Sequence, residues 1–479
     1  MRFVNEADKD RELTYEDVFL LPQYSEISSR MDVDLTPGDN VGTTTPIVVA
    51  NMTAVAGRRM AETVGRRGGL VVLPQDMPIE KVAEVVSHVK SCHPIFETPV
   101  VLSETESIQT ALNLIYKRAH GAIVVVDKNK KPVGIFTAKD AKDKDHFMEL
   151  KEVMSREIIS LNESATPQKV FQTLEKHRIS FLPIIKKSGR LAGVLTLKGA
   201  IRATIYKPAF DGKGKLLAAA AIGVNGNLKN KVKSLLEIGV DLIVLDTAHG
   251  HQKKMLQAVA ATRSMIGRKR NLVAGNVATA QATEDLIKAG ANIIKVGVGP
   301  GAMCTTRMAT AAGRPQFKAV VECASRAREL GAYVWADGGI RHPRDLALAI
   351  AAGASSAVIG SLFAGTYESP ADIKEDEEGR FYKENFGMAS IRAVANRIHR
   401  EEAFENARKK YFEEGVSESK IYLREGELSA EDLIDKFTSG LRSALAYTGA
   451  RNLEEFYEKA VVGVQTPAGF REGKPIGNW

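Results

Sequence analysis

Short apolar runs of strand length, each ending in a polar residue or glycine, recur in two blocks of this sequence. They lie at 47–52, 69–73, 219–224, 242–246, 272–276, 293–298, 334–337 and 357–359, and stretches of helical spacing such as 278–289 separate them. Eight strands alternating with helices are what a (β/α)8 barrel needs, so an α/β TIM barrel is expected. The runs end at Asn51, Asp246, Asn276, Gly297 and Asp337, among others. In such barrels the loops after the strands build the site at the C-terminal face. A doubly wound sheet is the alternative. It is disfavoured because no GxGxxG follows the first strand and the glycine-rich motif falls mid-chain.

Between the second and third runs the pattern changes to a repeat with a period of 59: GAIVVVD at 121–127 answers to SFLPIIK at 180–186, and VGIFTAKD at 133–140 to AGVLTLKG at 192–199. ESIQTALNLIYK at 106–117 answers likewise to ATPQKVFQTLEK at 165–176, with Ser107 and Thr166 as candidate helix caps. Each copy reads helix, strand, turn, strand, helix. The repeat resembles a tandem pair of CBS domains, expected at 95–153 and 154–205 and inserted into a barrel formed by 1–94 and 206–479. That resemblance implies a purine nucleotide effector in the cleft of the pair. A spacer or assembly surface without a ligand is the alternative.

Composition narrows the class. Charged residues are 26% and hydrophobic ones 44%, enough for a large core without staples. The net charge of +8 suits an anionic ligand, but 58 acidic residues are mixed among 66 basic ones. No Lys/Arg run marks a nucleic-acid stripe, and no apolar stretch marks a signal peptide or membrane span, so a cytoplasmic protein is expected. Three cysteines, Cys92, Cys304 and Cys323, occur in no metal-binding spacing. Cys92 and Cys323 sit in helical patterns and read as packing residues.

The strongest chemical signal is KVGVGPGAMCTTRMATAAGRPQ at 295–316. Gly297, Gly299 and Gly301 let the chain turn sharply after its strand and offer backbone groups to a ligand. Cys304 follows, with Thr305, Thr306 and Arg307 as groups able to activate a thiol or brace the loop. WADGGIRHPRD at 335–345 follows a strand and opens a helix, and AVIGSLFAGTYESP at 357–370 repeats the design. Gly338, Gly339, Gly360 and Ser361 therefore form a candidate phosphate cradle. His249 and His251, with one residue between them and no carboxylate cluster, are a weak metal signal and read as loop residues.

These motifs resemble the IMP dehydrogenase and GMP reductase family: LTYEDVFLLP at 13–22, GVGPGAMCTTR at 297–307, ADGGIRHPRD at 336–345, GSLFAGTYESP at 360–370, FGMAS at 386–390 and GLRSALAYTGA at 440–450 stand in family order. The resemblance implies Cys304 as a nucleophile forming a thioimidate at purine C2, with Thr306 assisting. It places the nucleotide, GMP or IMP, against Asp337, Gly338, Gly339, Gly360, Ser361, Gly387 and Met388. It places a nicotinamide cofactor, NADPH in the reductive direction, near Asp246, Thr247, Ala248, Asn276, Gly297, Val298 and Gly299. It puts a monovalent cation, K+, on the carbonyls of Gly299, Gly301 and Cys304, and it implies a homotetramer or homo-octamer.

Direction is read from what is missing. The dehydrogenase needs an Arg-Tyr pair to direct water, and between Met388 and Gly440 the nearest approach is Lys410-Tyr411. Lysine is a poor substitute for a catalytic guanidinium. ANM at 50–52, FGMAS and a tail without Glu-Ser-His also resemble the reductase side. The CBS pair leans to the dehydrogenase side. The expectation is reductive deamination of GMP to IMP and ammonia, with Glu414 as the proton-transfer carboxyl and Glu413 or Glu418 as alternatives. Ala302 departs from the family, where a phosphate-binding serine is frequent. NAD-dependent oxidation of IMP and a catalytically silent nucleotide sensor are the competing functions.

Overall fold

The computed structural model describes residues 1–386, 418–423 and 428–475. Eight parallel strands close a barrel: β1 (Ile47–Val49), β2 (Leu70–Leu73), β3 (Ala219–Ile222), β4 (Leu242–Asp246), β5 (Leu272–Val277), β6 (Ile293–Val296), β7 (Tyr333–Asp337) and β8 (Ser356–Ile359), with β8 pairing back onto β1. All eight runs expected from the sequence are strands. Helices Arg58–Arg66, Ile79–Ser91, Leu228–Ile238, Lys253–Ile266, Ala280–Ala289, Gln316–Glu329, Pro343–Ala351 and Ala430–Thr448 follow the strands in turn.

Strand parity divides the apolar side chains. Val48, Val72, Ala219, Ala221, Leu242, Val244, Val273, Ile293, Trp335 and Val358 fill the barrel interior. Their neighbours Val49, Val71, Ala220, Ile243, Ala274, Ile294, Val334 and Ala357 pack in the layer beneath the helices. Burial on both faces is why these strands read as unbroken apolar runs. The same parity aims Asp246, Gly275, Lys295 and Asp337 inward at the C-terminal end, where Asp246, Gly275 and Lys295 are in register. A polar layer thus caps an apolar interior. At the opposite end Trp335 Nε1 donates to Asp39 at 2.9 Å and closes the barrel.

The insertion leaves after the Ile79–Ser91 helix and consists of two like units. One sheet holds Val100–Ser103, Ala122–Val126 and Pro132–Thr137, and the other Leu161–Asn162, Phe181–Ile185 and Leu191–Thr196. Ser107 and Thr166 cap the helices Ile108–Ile115 and Pro167–His177 by accepting the amides of Thr110 and Lys169. The units face each other across Ala122, Val124, Val126, Phe181 and Val194. Their first residues are exchanged: Glu97 pairs with Val194 of the second unit, and Ser155 with Ile135 of the first. Boundaries after residues 94 and 153 therefore divide the chain but not the packing.

Candidate active site

The loop after β6 carries the thiol. Cys304 is exposed, and its Sγ donates to Thr306 Oγ1 at 3.2 Å, where the short helix Thr306–Thr310 begins. Glycine is required at the loop's entry, because a Cβ on Gly297 would stand 1.9 Å from the Asp337 carbonyl oxygen. Gly299 adopts φ +86°, and a side chain there would overlap the Arg307 stem. A Cβ on Gly313 would meet that stem too, so Arg307 braces the loop across two glycines. Cys323 is buried in the Gln316–Glu329 helix, where burial pushes its thiol up to about 12. Cys92 is half-buried beside Glu62; burial and that neighbouring carboxylate raise it to about 12. Both behave as packing residues. Cys304 is the one exposed thiol.

Beside the loop lies a chain of polar contacts that crosses the barrel mouth. Asn51 Nδ2 donates to Asp246 Oδ2 at 2.7 Å. The Lys295 ammonium lies 2.9 Å from Asp246 Oδ1, 3.0 Å from Asp337 Oδ2 and 3.3 Å from Asn51 Oδ1. Asn276 Nδ2 donates to Asp337 Oδ2 at 2.9 Å and to the Gly297 carbonyl at 2.8 Å. Burial opposes the Lys295 charge, but Asp246 and Asp337 overcome it and raise its pKa. Both oxygens of Asp246 are engaged, whereas Asp337 Oδ1 has no partner among the described residues. Asn276 Oδ1 is buried and likewise unpartnered. Thr247 Oγ1 donates to the His249 carbonyl at 3.0 Å, and Ala248 is exposed beside it.

The loops after β7 and β8 adjoin the thiol loop. Gly338 and Gly339 adopt φ +93° and +80°, and a Cβ on Gly338 would meet the Gly301 amide at 3.0 Å. Gly360 lies under Met52, with Ser361 opening the short helix Ser361–Ala364. The amides of Arg341 and His342, at the start of the Pro343–Ala351 helix, donate to Asp345 Oδ2 at 2.9 and 2.8 Å. That helix end is capped from within by Asp345. His251 Nε2 is 2.8 Å from Asp285 and ties its loop to the Ala280–Ala289 helix.

The structure thus gathers Cys304, Thr306, Asp246, Thr247, Asn276, Gly297, Val298, Gly299, Gly301, Asp337, Gly338, Gly339, Gly360 and Ser361 on the strand ends and loops at one end of the barrel. Gly387, Met388, Glu413 and Glu414 lie outside the described residues. Glu418 begins the strand Glu418–Tyr422, which pairs with Phe381–Phe386. Ser419 on that strand reaches Met303 Sδ at 3.2 Å, beside the thiol. Phe386 and Glu418 therefore lie on a sheet that touches the cysteine loop. Sequence reasoning missed Lys295 and Asn51 as partners of the two aspartates. A lysine at the inward parity of IIKV was the available signal.

An exposed thiol with a hydroxyl partner, set among polar loops at the C-terminal mouth of a closed parallel barrel, places the chain in the class of barrel enzymes. The family model described as IMP dehydrogenase / GMP reductase domain matches residues 12–476. The chain belongs to that family and is an oxidoreductase. It is 52% identical to the GMP reductase of Mycobacterium tuberculosis (strain H37Rv) over 476 residues, 99% of each chain. It is 38% identical to the inosine-5'-monophosphate dehydrogenase of Aquifex aeolicus over 467 residues, 96% of this chain and 94% of that one. The crystal structure of a Cys-to-Ala variant of Trypanosoma brucei GMP reductase in complex with guanosine 5'-monophosphate superposes with TM-score 0.69 at 32% identity, covering 100% of both chains.

Proposed function

We propose that this chain is a GMP reductase, converting GMP to IMP and ammonia at the expense of a reduced nicotinamide cofactor, NADPH. The carrying observation is the Cys304 thiol, 3.2 Å from the Thr306 hydroxyl, on a loop whose Gly297 abuts Asp337, an aspartate whose Oδ1 has no partner among the described residues. Greater identity to a full-length reductase than to a dehydrogenase supports the direction.

In this reading Asp337 Oδ1 accepts from the ribose hydroxyls, while Gly338, Gly339, Gly360 and Ser361 receive the phosphate, with Gly387 and Met388 on the purine side. The Cys304 thiolate adds to C2 of the guanine ring. The exocyclic amine takes up a proton and leaves as ammonia, with Thr306 and Glu414 handling that proton, and a thioimidate to Cys304 remains. A reduced cofactor bound on the Asn276 side would supply a hydride for C2, and Cys304 would then be released as thiolate with IMP as product. Asn276 suits a nicotinamide because its buried amide oxygen has no donor among the described residues. Asp246, Thr247, Ala248, Gly297, Val298 and Gly299 line the same side. The carbonyls of Gly299, Gly301 and Cys304 are hard oxygen donors of the kind K+ prefers. Bound there, the cation would steady the thiol loop.

The insertion is read as a CBS pair that binds a purine nucleotide effector, and the assembly as a homotetramer or homo-octamer. The catalytic part is tested by incubating the protein with GMP, quenching in acid and weighing the peptide that contains Cys304. A nucleotide adduct that disappears in Cys304→Ala is expected. GMP-dependent turnover in Cys304→Ala would overturn the role of the thiol.

A further inference from the structure

Lys295 has one positive charge and two carboxylate partners at nearly equal distances, 2.9 Å to Asp246 and 3.0 Å to Asp337. It is the charged residue of the apolar strand Ile293–Val296, and its side chain is 4% exposed. The barrel makes room for it, since a Cβ on Gly275 would stand 2.5 Å from the Lys295 Cβ. Asn51 holds the far oxygen of Asp246 and Asn276 the shared oxygen of Asp337. The result is a continuous path from β1 through β4, β6 and β7 to the carbonyl of Gly297 in the thiol loop.

We propose that Lys295 is a positioning residue that shares one charge between Asp246 on the cofactor side and Asp337 on the substrate side, so that each pocket senses the other's charge. This rests on the reading of the site as a GMP and nicotinamide site. Three charged groups in contact, two negative and one positive, leave a net negative charge where a phosphorylated nucleotide must enter. With Lys295 buried between its partners, removing either sign alters the field felt by GMP, although only Asp337 is placed to touch it. Linked sites of this kind change each other's affinity reciprocally.

Charge sharing and simple scaffolding predict different signs. GMP affinity is measured by titration calorimetry without cofactor, with every variant and its wild-type reference carrying Cys304→Ala so that no adduct forms, on folded protein checked by thermal melting. Asp246→Asn removes a negative charge with little change of shape, and GMP is expected to bind about fivefold tighter. Lys295→Met removes the positive charge, and binding is expected to weaken on the order of tenfold. Asp246→Asn combined with Lys295→Met restores the net charge and should return affinity to within about threefold of wild type. A scaffolding role alone would loosen GMP in both single variants. Unchanged or weakened binding in Asp246→Asn overturns the proposal, and this arm stands even where Lys295→Met fails to fold. Wild-type protein that binds no GMP would instead overturn the functional reading on which the proposal rests.

Discussion

At Gly297 the site depends on an atom that is missing. An alanine methyl would lie 1.9 Å from the Asp337 carbonyl oxygen, a backbone atom that cannot swing away. Either the thiol loop or the Asp337 turn must move, and displacements near 1 Å cost on the order of a hundredfold in rate. Gly297→Ala is therefore expected to lower kcat/KM about a hundredfold while the protein stays folded, as steady-state kinetics and a melting curve would show. Activity within threefold of wild type would contradict the tight approach of the two loops. The glycine, the thiol and the aspartate were all legible in the sequence, because motif spacing records them. Their contact was not, since Gly297 follows β6 whereas Asp337 ends β7, and the two meet only when the barrel closes.

Among the elements, the sheet of Ile373–Glu375, Phe381–Phe386 and Glu418–Tyr422 bears on the site through Ser419 and Met303. It is anchored by Lys383, which donates to the Thr366 carbonyl at 2.6 Å, the Ser369 hydroxyl at 2.9 Å and the Ser369 carbonyl at 3.2 Å. Burial, aided by Arg59, lowers its pKa from 10.5 to about 7, against the opposing pull of Glu368. Below the folded value Lys383 is charged in both states and the cost of burying the charge is fully present. Above it, the unfolded chain binds a proton that the folded chain has released, so stability rises with pH until the unfolded value is reached. Relative to Lys383→Met, the unfolding free energy of wild type should grow by about 2 kcal/mol between pH 7 and 9. A difference that is flat with pH in chemical denaturation would show that Lys383 keeps its charge. Nothing in EGRFYKENF marks Lys383 as buried while Lys374 is not; the strand alternates, and which face is covered is decided by residues 366–369. The barrel strands were easier to read because burial on both faces leaves a pattern in the strand itself.

Across the whole molecule the insertion is wired to the barrel by ion pairs, those of Arg67 and Arg118 buried. Arg67 joins Glu97 of the insertion at 3.3 Å to Glu431 at 2.6 Å, Arg118 pairs with Glu62, and Arg202 reaches Glu431, Asp432 and Asp435 at 3.2, 2.6 and 2.7 Å. Burial opposes the charge on Glu62, but His88, Arg118 and Arg66 hold its carboxyl well below the usual range. Removing one partner while the rest stays buried is the expensive operation. Arg118→Met should lose about 3 kcal/mol of stability, seen as a lower denaturation midpoint. Deleting 95–205 re-exposes Glu62, Arg67 and Glu431 to water. The barrel should then keep its turnover and lose any response to purine nucleotides. Retained regulation in the deletion would refute a regulatory insertion. The period of 59 announced two units, but neither the exchange of their first residues nor these long-range pairs has a local signature.

The direction of the chemistry is the central claim, and one paired assay tests it. The protein is mixed with GMP and NADPH, and separately with IMP and oxidised cofactor, and absorbance at the nicotinamide band is followed in both. Loss of the reduced cofactor with GMP, accompanied by ammonia and IMP, is the predicted result. Turnover confined to IMP and oxidised cofactor, with XMP as product, would contradict it.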